Sequence, residues 1–242
     1  MFSFLKKKKS IKVESLFTDI HSHLVPGIDD GSKSMDESIA LLKKFEALGY
    51  KKIITTPHIM DKAYNNSKES ILDNFSRLKQ TVSEEGVNIE LQVAAEYYVD
   101  DGFLSLLEKG ELLPIDDEYI LFETSYVNRP ADLESVIYNI IASGYKPILA
   151  HPERYQYIKN LDEEFNALKN QGAYFQANLN SFVGFYGKQA QKNAEYLNDN
   201  SMIDFLGSDV HHDKHITSFS SALSSDIYED IMNKNIILNN TI

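Results

Sequence analysis

Short apolar runs alternate along most of the chain with segments whose apolar residues recur every three to four positions. Read as strands, the runs cover residues 16–20, 52–56, 89–95, 119–123, 147–150, 174–177 and 203–207. They are rich in branched and aromatic residues and bounded by turn formers. Between them the period becomes helical. Ser34 reads as an N-cap, with Asp36 and Glu37 in the first turn, Ile39, Leu42 and Phe45 on one face, and Gly49 as the stop. A second pattern begins at about Ser67 and carries Ile71, Leu72, Phe75, Leu78 and Val82. Pro130 is expected as the first residue of a helix through Leu133, Val136, Ile137 and Ile140 that stops at Gly144. Further helices are expected over 162–170, 188–197 and 221–232.

Strands alternating with helices predict a parallel sheet with crossover helices. Seven such units in 242 residues suit a closed or nearly closed β/α barrel. The competing architecture, an open doubly wound sheet, is disfavoured by the lack of a Gly-rich phosphate loop after the first strand. With no linker, low-complexity tract or repeat, residues 16–242 are expected to form one domain. Residues 1–15, which include Lys6 to Lys9, are expected to be a flexible basic tail. Their charges follow the apolar residues, the reverse of a secretory signal.

Composition narrows the function. Lys plus Arg number 24 against 36 Asp plus Glu, a formal charge of −12, with 43% hydrophobic residues to build a core. The acidic balance argues against non-specific nucleic-acid binding, which needs clustered Lys and Arg, so no nucleic-acid partner is expected. No apolar run approaches the ~20 residues of a membrane helix, so no stable membrane insertion and a cytoplasmic location are expected. There is no cysteine, hence no disulfide, no Cys-ligated zinc or iron–sulfur site, and no thiolate nucleophile.

The chemistry gathers at the C-terminal ends of the expected strands, the face on which barrels build active sites. Asp19, His21 and His23 follow the first, with Asp29-Asp30-Gly31 beyond. His58 follows the second, Glu96 the third, Glu123 the fourth and His151 the fifth; Asp209 and His211 follow the seventh. The sixth offers the amides Asn178 and Asn180. In extended backbone, residues two apart share a side, so His21 and His23 converge, as do Asp209 and His211. Five histidines and four carboxylates without sulfur suit two or three divalent ions, Mn²⁺, Fe²⁺ or Zn²⁺, with Glu96 a natural bridge. Taken singly, each has a plainer reading: a hydrogen-bonded histidine, or a helix cap in the case of Asp19 and Asp30. Glu96 and Glu123 resist it, because a carboxylate ending an apolar strand is costly unless paired or metal-bound.

The series Asp19-Ile20-His21-Ser22-His23, Thr56-Pro57-His58, Ala95-Glu96, Glu123, Ala150-His151-Pro152-Glu153-Arg154-Tyr155 and Ser208-Asp209-Val210-His211 resembles the PHP (polymerase and histidinol phosphatase) superfamily. The stretch from His21 to Gly31 and the His-Pro-Glu-Arg-Tyr segment resemble, within it, the bacterial manganese-dependent protein-tyrosine phosphatases of the CpsB/CapC/YwqE type. The resemblance implies a distorted seven-stranded, TIM-like β/α barrel, the PHP fold, with three divalent ions, Mn²⁺ first. It implies His21, His23, Glu96 and Asp209 on one ion, Glu96, Glu123 and His151 on a second, and Asp30, His58 and His211 on a third. Arg154 would bind the substrate phosphate. Where a second phosphate-binding arginine is expected after the last motif, the chain has His212-Asp213-Lys214-His215, leaving Lys214 or His215 to substitute.

The reaction expected is hydrolysis of a phosphomonoester by a metal-activated hydroxide, with Arg154 as bidentate clamp and Asp209 or a nearby histidine as general acid. By resemblance, the substrate is a phosphotyrosine protein, the Tyr-rich tail of a bacterial tyrosine kinase that controls capsular or exopolysaccharide synthesis. The alternatives are a histidinol-phosphatase-type enzyme for small phosphomonoesters, a nuclease module, which the charge of −12 opposes, and a non-catalytic metal-binding scaffold.

Overall fold

A computed structural model describes residues 15–242. All of the expected basic tail except Ser15 therefore lies outside the described residues. The apolar runs form parallel strands in two sheets. One has the order β1 (Thr18–Asp19), β2 (Lys52–Thr55), β4 (Glu90–Val93). The other runs β3 (His58–Ile59), β5 (Glu96–Tyr98), β6 (Tyr119–Glu123), β7 (Lys146–Ala150), β8 (Tyr174–Asn178), β9 (Phe205–Gly207). β6 is buried throughout and β7 from its second residue on, as expected of strands covered on both faces.

The described residues form nine short strands where the sequence suggests seven, because a further short strand follows the second run and another follows the third. Pro57, which has no N–H to give a ladder, separates β2 from β3. At the other break, Ala94 donates its N–H to Thr55 while Ala95 turns to Leu113, and Glu96 then donates to Pro57. The chain thus changes partners just before the site, and β3 and β5 set His58 directly beside Glu96 in register. The first and last strands also approach each other. Asp209 N–H donates to the His21 carbonyl at 2.8 Å, His23 N–H to the Val210 carbonyl at 2.9 Å, and Ser22 bridges Val210 in parallel.

The helices are α1 (Met35–Ala47), α2 (Lys68–Glu84), α3 (Asp101–Lys109), α4 (Leu133–Ala142), α5 (Leu161–Asn170), α6 (Leu179–Phe182), α7 (Lys188–Asp199), α8 (Asp213–Leu223) and α9 (Asp226–Lys234). Ser34 caps α1 by accepting from Glu37 N–H, as expected. Three expectations change. α4 starts at Leu133, so Pro130 lies before the helix rather than in its first turn. The segment expected as one helix over 221–232 is split between α8 and α9, which meet at Ser224 and Ser225. α3 is additional, capped by Asp100 and closed by Gly110 in the left-handed region (φ 68°).

Two apolar clusters hold these layers. One joins helices to strands; the other gathers Ile20, Ile54, Ala94, Leu121, Ile148 and Phe205 among the strands themselves. Leu121 stands two residues before Glu123, Ala94 two before Glu96 and Phe205 four before Asp209. The first of these pairs lies within one strand, β6, where residues two apart share a face, so there the row of core side chains ends in a candidate ligand.

Candidate metal centre

All nine candidate ligands are brought together at the strand ends. Glu96 is at the middle. Its Oε2 lies 3.1 Å from His21 Nε2, 3.3 Å from His23 Nε2 and 3.2 Å from His58 Nδ1; its Oε1 lies 3.1 Å from His151 Nε2. Glu123 faces His58 Nδ1 at 3.5 Å and His151 Nε2 at 3.8 Å. Asp209 Oδ1 is within 3.6 Å of His21, His23 and His211. Asp30, on the solvent side, lies 3.5 Å from His58 Nε2 and 3.4 Å from His211 Nε2.

Four overlapping groups have ligand atoms within 4.8 Å of one another: His23, Asp30, His58 and His211; His21, His23 and Glu96; His21, His151 and Asp209; and His58, Glu96 and Glu123. His21, His23, His58 and Glu96 each serve two groups, so the arrangement is a cluster rather than a single site. The last two groups cut across the three expected sets, since His58 and His151 both reach the Glu96–Glu123 pair.

The donors fit hard or borderline divalent cations. Glu96 Oε2 and His58 Nδ1 are buried and approach each other without forming a hydrogen bond to any group. Such orphaned atoms cost about 1–3 kcal/mol each, which a shared cation removes. The charges respond to one another. Burial raises the carboxyl affinity of Glu96 for its proton, but His21 and His58 outweigh this and hold it well below the usual range. Burial, with the neighbouring Glu96 and Asp209, pushes Glu123 well above it. Burial is likewise outweighed at Asp209, where His21 and His211 keep the carboxyl low. His151 is pushed down to about 4 by burial and by Arg154. It is therefore a neutral imidazole with a free lone pair, the form a metal needs.

Supporting residues fix the ligands. Gln176 Oε1 is 2.6 Å from His21 Nδ1, turning Nε2 toward the cluster. Gln176 in turn fills the space over Gly207, where an added Cβ would meet its amide at 2.3 Å. Asp29 presents a buried carboxylate 2.9 Å from His23 Nδ1 that also accepts from His58 and Gly31 N–H. Gly31 has no room for a side chain, since a Cβ would lie 2.2 Å from the His23 carbonyl. Asp19 caps no helix; its two oxygens accept from Ser208 N–H and Oγ–H, tying the first strand to the last. His151 and Asp209 both have positive φ, 34° and 48°.

Arg154 overhangs the cluster. Its Nη1 donates to Asp209 Oδ2 at 2.7 Å, and its guanidinium sits 4.5 Å from the Tyr126 ring and 4.1 Å from the Tyr186 ring. Asn178 Nδ2 and the Tyr186 hydroxyl also donate to Asp209 Oδ2. Of the two residues expected to replace a second arginine, His215 lines this pocket, accepting from His211 N–H, whereas Lys214 is exposed on α8 and does not. Tyr126, Tyr186, Gln176 and Asp29 were not among the expected site residues. Asp29 alone carried a signal, its place beside Asp30.

A sulfur-free histidine–carboxylate cluster on the strand ends of a parallel α/β fold has the donors and the position of an enzyme site able to hold divalent ions. The chain belongs to the family described as "Capsular polysaccharide synthesis, CpsB/CapC", whose profile matches residues 17–241. It is 32% identical over 195 residues to the putative tyrosine-protein phosphatase CapC of Staphylococcus aureus, covering 80% of this chain and 76% of that one. It is 31% identical to the tyrosine-protein phosphatase CpsB of Streptococcus pneumoniae, over 80% of this chain and 82% of that one. Among solved structures it resembles those described as the metal-dependent tyrosine phosphatases YwqE of Bacillus subtilis and CpsB of S. pneumoniae. That match has a TM-score of 0.79 and 27% identity, and covers 89% of this chain and 90% of the other. A histidinol phosphate phosphatase from Lactococcus lactis, 15% identical with a TM-score of 0.54 over 86% of this chain and 92% of that one, shares the fold. No helix of the described residues is long and apolar enough to cross a membrane.

Proposed function

We propose that this chain is a metal-dependent protein-tyrosine phosphatase that hydrolyses phosphotyrosine in a protein partner. The observation that carries the reading is Arg154, whose guanidinium is held over the histidine–carboxylate cluster by Asp209 and two tyrosine rings. Divalent ions in the cluster, when bound, lower the pKa of a coordinated water to supply the nucleophile and neutralise charge on the phosphoryl oxygens. His21, His23, Glu96 and Asp209 would hold one ion, Glu96, Glu123 and His151 a second, and Asp30, His58 and His211 a third. Mn²⁺ is the first choice.

The remaining work falls to side chains. Arg154 keeps one N–H on Asp209 and presents its others to the non-bridging oxygens of the phosphate. Tyr126 and Tyr186 restrict the guanidinium, so less freedom is lost when it binds substrate. Gln176 and Asp29 fix the imidazoles of His21 and His23. A phenolate leaving group, with a parent pKa of ~10, needs less protonation than an alkoxide. Asp209, expected as a general acid, is held ionised by His21 and His211 and so orients Arg154 instead.

In this reading residues 16–242 are one phosphatase domain, and the two sheets form a distorted seven-stranded barrel. Its support is the backbone bonding between the His21–His23 and Asp209–Val210 segments. The partner is the tyrosine-rich tail of a bacterial tyrosine kinase controlling capsule or exopolysaccharide synthesis, encountered in the cytoplasm. Protein reconstituted with Mn²⁺ should turn over a phosphotyrosine peptide with far higher kcat/KM than histidinol phosphate. A reversed preference, or full activity after exhaustive chelation, overturns the reading. A well-folded, metal-loaded protein without phosphatase activity would make it a binding scaffold.

A further inference from the structure

Arg154 is the wall between two cavities. The first, about 280 Å³, is the pocket over the metal cluster. The second is about 590 Å³ and shares Tyr126, Arg154 and Tyr186 with the first before continuing to Gln156, Ile158 and Lys159. No step of the phosphatase reaction uses it. The first cavity is at the low end of ligand-pocket sizes, on the scale of ~300–1,000 Å³, and suits a phosphate on an aryl ring. A protein substrate must still carry its backbone away from that ring, and the larger cavity opens directly beside the clamp.

Its chemistry is selective. Lys159 is exposed there, and its ammonium is paired with no carboxylate among the described residues. The one carboxylate on the lining, Glu153, is fully buried, with Oε1 accepting from Ser181 Oγ–H and Asn178 N–H, and Glu164 is engaged by the Lys159 N–H rather than by its ammonium. Ile158 supplies buried apolar surface. Arg154 is paired with Asp209, so the cation this cavity offers a ligand is Lys159. Leu161 and Ala190 add apolar lining, and Val127 and Phe185, next in sequence to two lining tyrosines, are 62% and 38% exposed. Apolar lining with one exposed lysine suits a polypeptide better than a small metabolite.

We propose that this second cavity is a peptide subsite that takes the residues flanking the phosphotyrosine and favours an acidic side chain through Lys159. The inference rests on the phosphatase reading. The test uses the full-length Mn²⁺-loaded protein and two phosphotyrosine peptides, one flanked on both sides by Glu and one by Lys, and reads the ratio of their kcat/KM values. The Glu-flanked peptide should be preferred, and Lys159→Glu should cut that preference by about fivefold or more. Lys79→Glu, in a separate cavity beside α2, makes the same charge change and should leave the ratio within about twofold. Absence of a preference in the unsubstituted protein, or equal shifts in the two variants, overturns the subsite. The same peptides carrying a non-hydrolysable phosphonate, followed by fluorescence anisotropy, give the ratio from binding alone. If the protein turns over neither the peptides nor a simple aryl phosphate, the phosphatase reading fails, and the anisotropy ratio still decides the subsite.

Discussion

The bodies of the strands and their C-terminal ends are a few ångströms apart and obey opposite rules. In the body, Ile20, Ile54, Leu121, Ile148 and Phe205 are buried almost completely among apolar neighbours. At the ends, equally buried side chains are charged or polar, and Glu96, the most central, keeps an oxygen without a hydrogen bond. The body gains free energy from exclusion of water, whereas the end spends it on gathering like charges. The difference teaches which residues hold the fold and which wait for a ligand, although burial alone does not separate them.

That contrast can be broken at graded cost. The largest effect should come from the ends: Glu96→Gln, or exhaustive chelation of the unsubstituted protein, should lower aryl phosphatase activity by about a hundredfold or more while circular dichroism reports a folded protein. Activity surviving both would mean that the cluster is not the catalytic centre. Next is the body, where Leu121→Ala should cost about 2–5 kcal/mol in urea unfolding, with kcat/KM per folded molecule changed little. A large loss of activity without loss of stability would show that body and end are not separable. Gln176→Ala removes the group that aims His21 and should weaken divalent-metal affinity by about 10- to 100-fold in calorimetry. The smallest effect should be that of Tyr186→Leu. It takes one ring from the Arg154 guanidinium and should raise KM by a few-fold, on the order of 1 kcal/mol, with kcat less affected. A selective fall in kcat instead would place Tyr186 in the chemical step.

Much of this was legible in the sequence because the two regions sit on the same runs. An apolar strand that ends abruptly in His or Glu declares both its core face and its site, as Leu149-Ala150-His151 and Leu121-Phe122-Glu123 do. The supporting groups were not legible, because their contacts are long-range. Gln176 and His21 are 155 positions apart, and Asp19 and Ser208 are 189 apart. The short strands after the second and third runs were not read because β3 and β5 are two and three residues long, too short to show a period, although Pro57 marks the first break. The break between α8 and α9 falls in Ser-Ser-Asp, a weak signal within a continuous apolar stripe. The grouping of His58 with Glu96 and Glu123 also lies beyond spacing, since it depends on a register between strands far apart in sequence.

The positive φ angles of His151 and Asp209 have an evolutionary consequence. A non-glycine residue in that conformation carries a strain of about 1 kcal/mol that glycine, and to a lesser degree asparagine, would relieve. A library of this protein selected only for survival on heating should therefore enrich glycine or asparagine at these two positions, and lose the imidazole and the carboxylate there. Selection for heat resistance and selection for turnover pull these two sites in opposite directions.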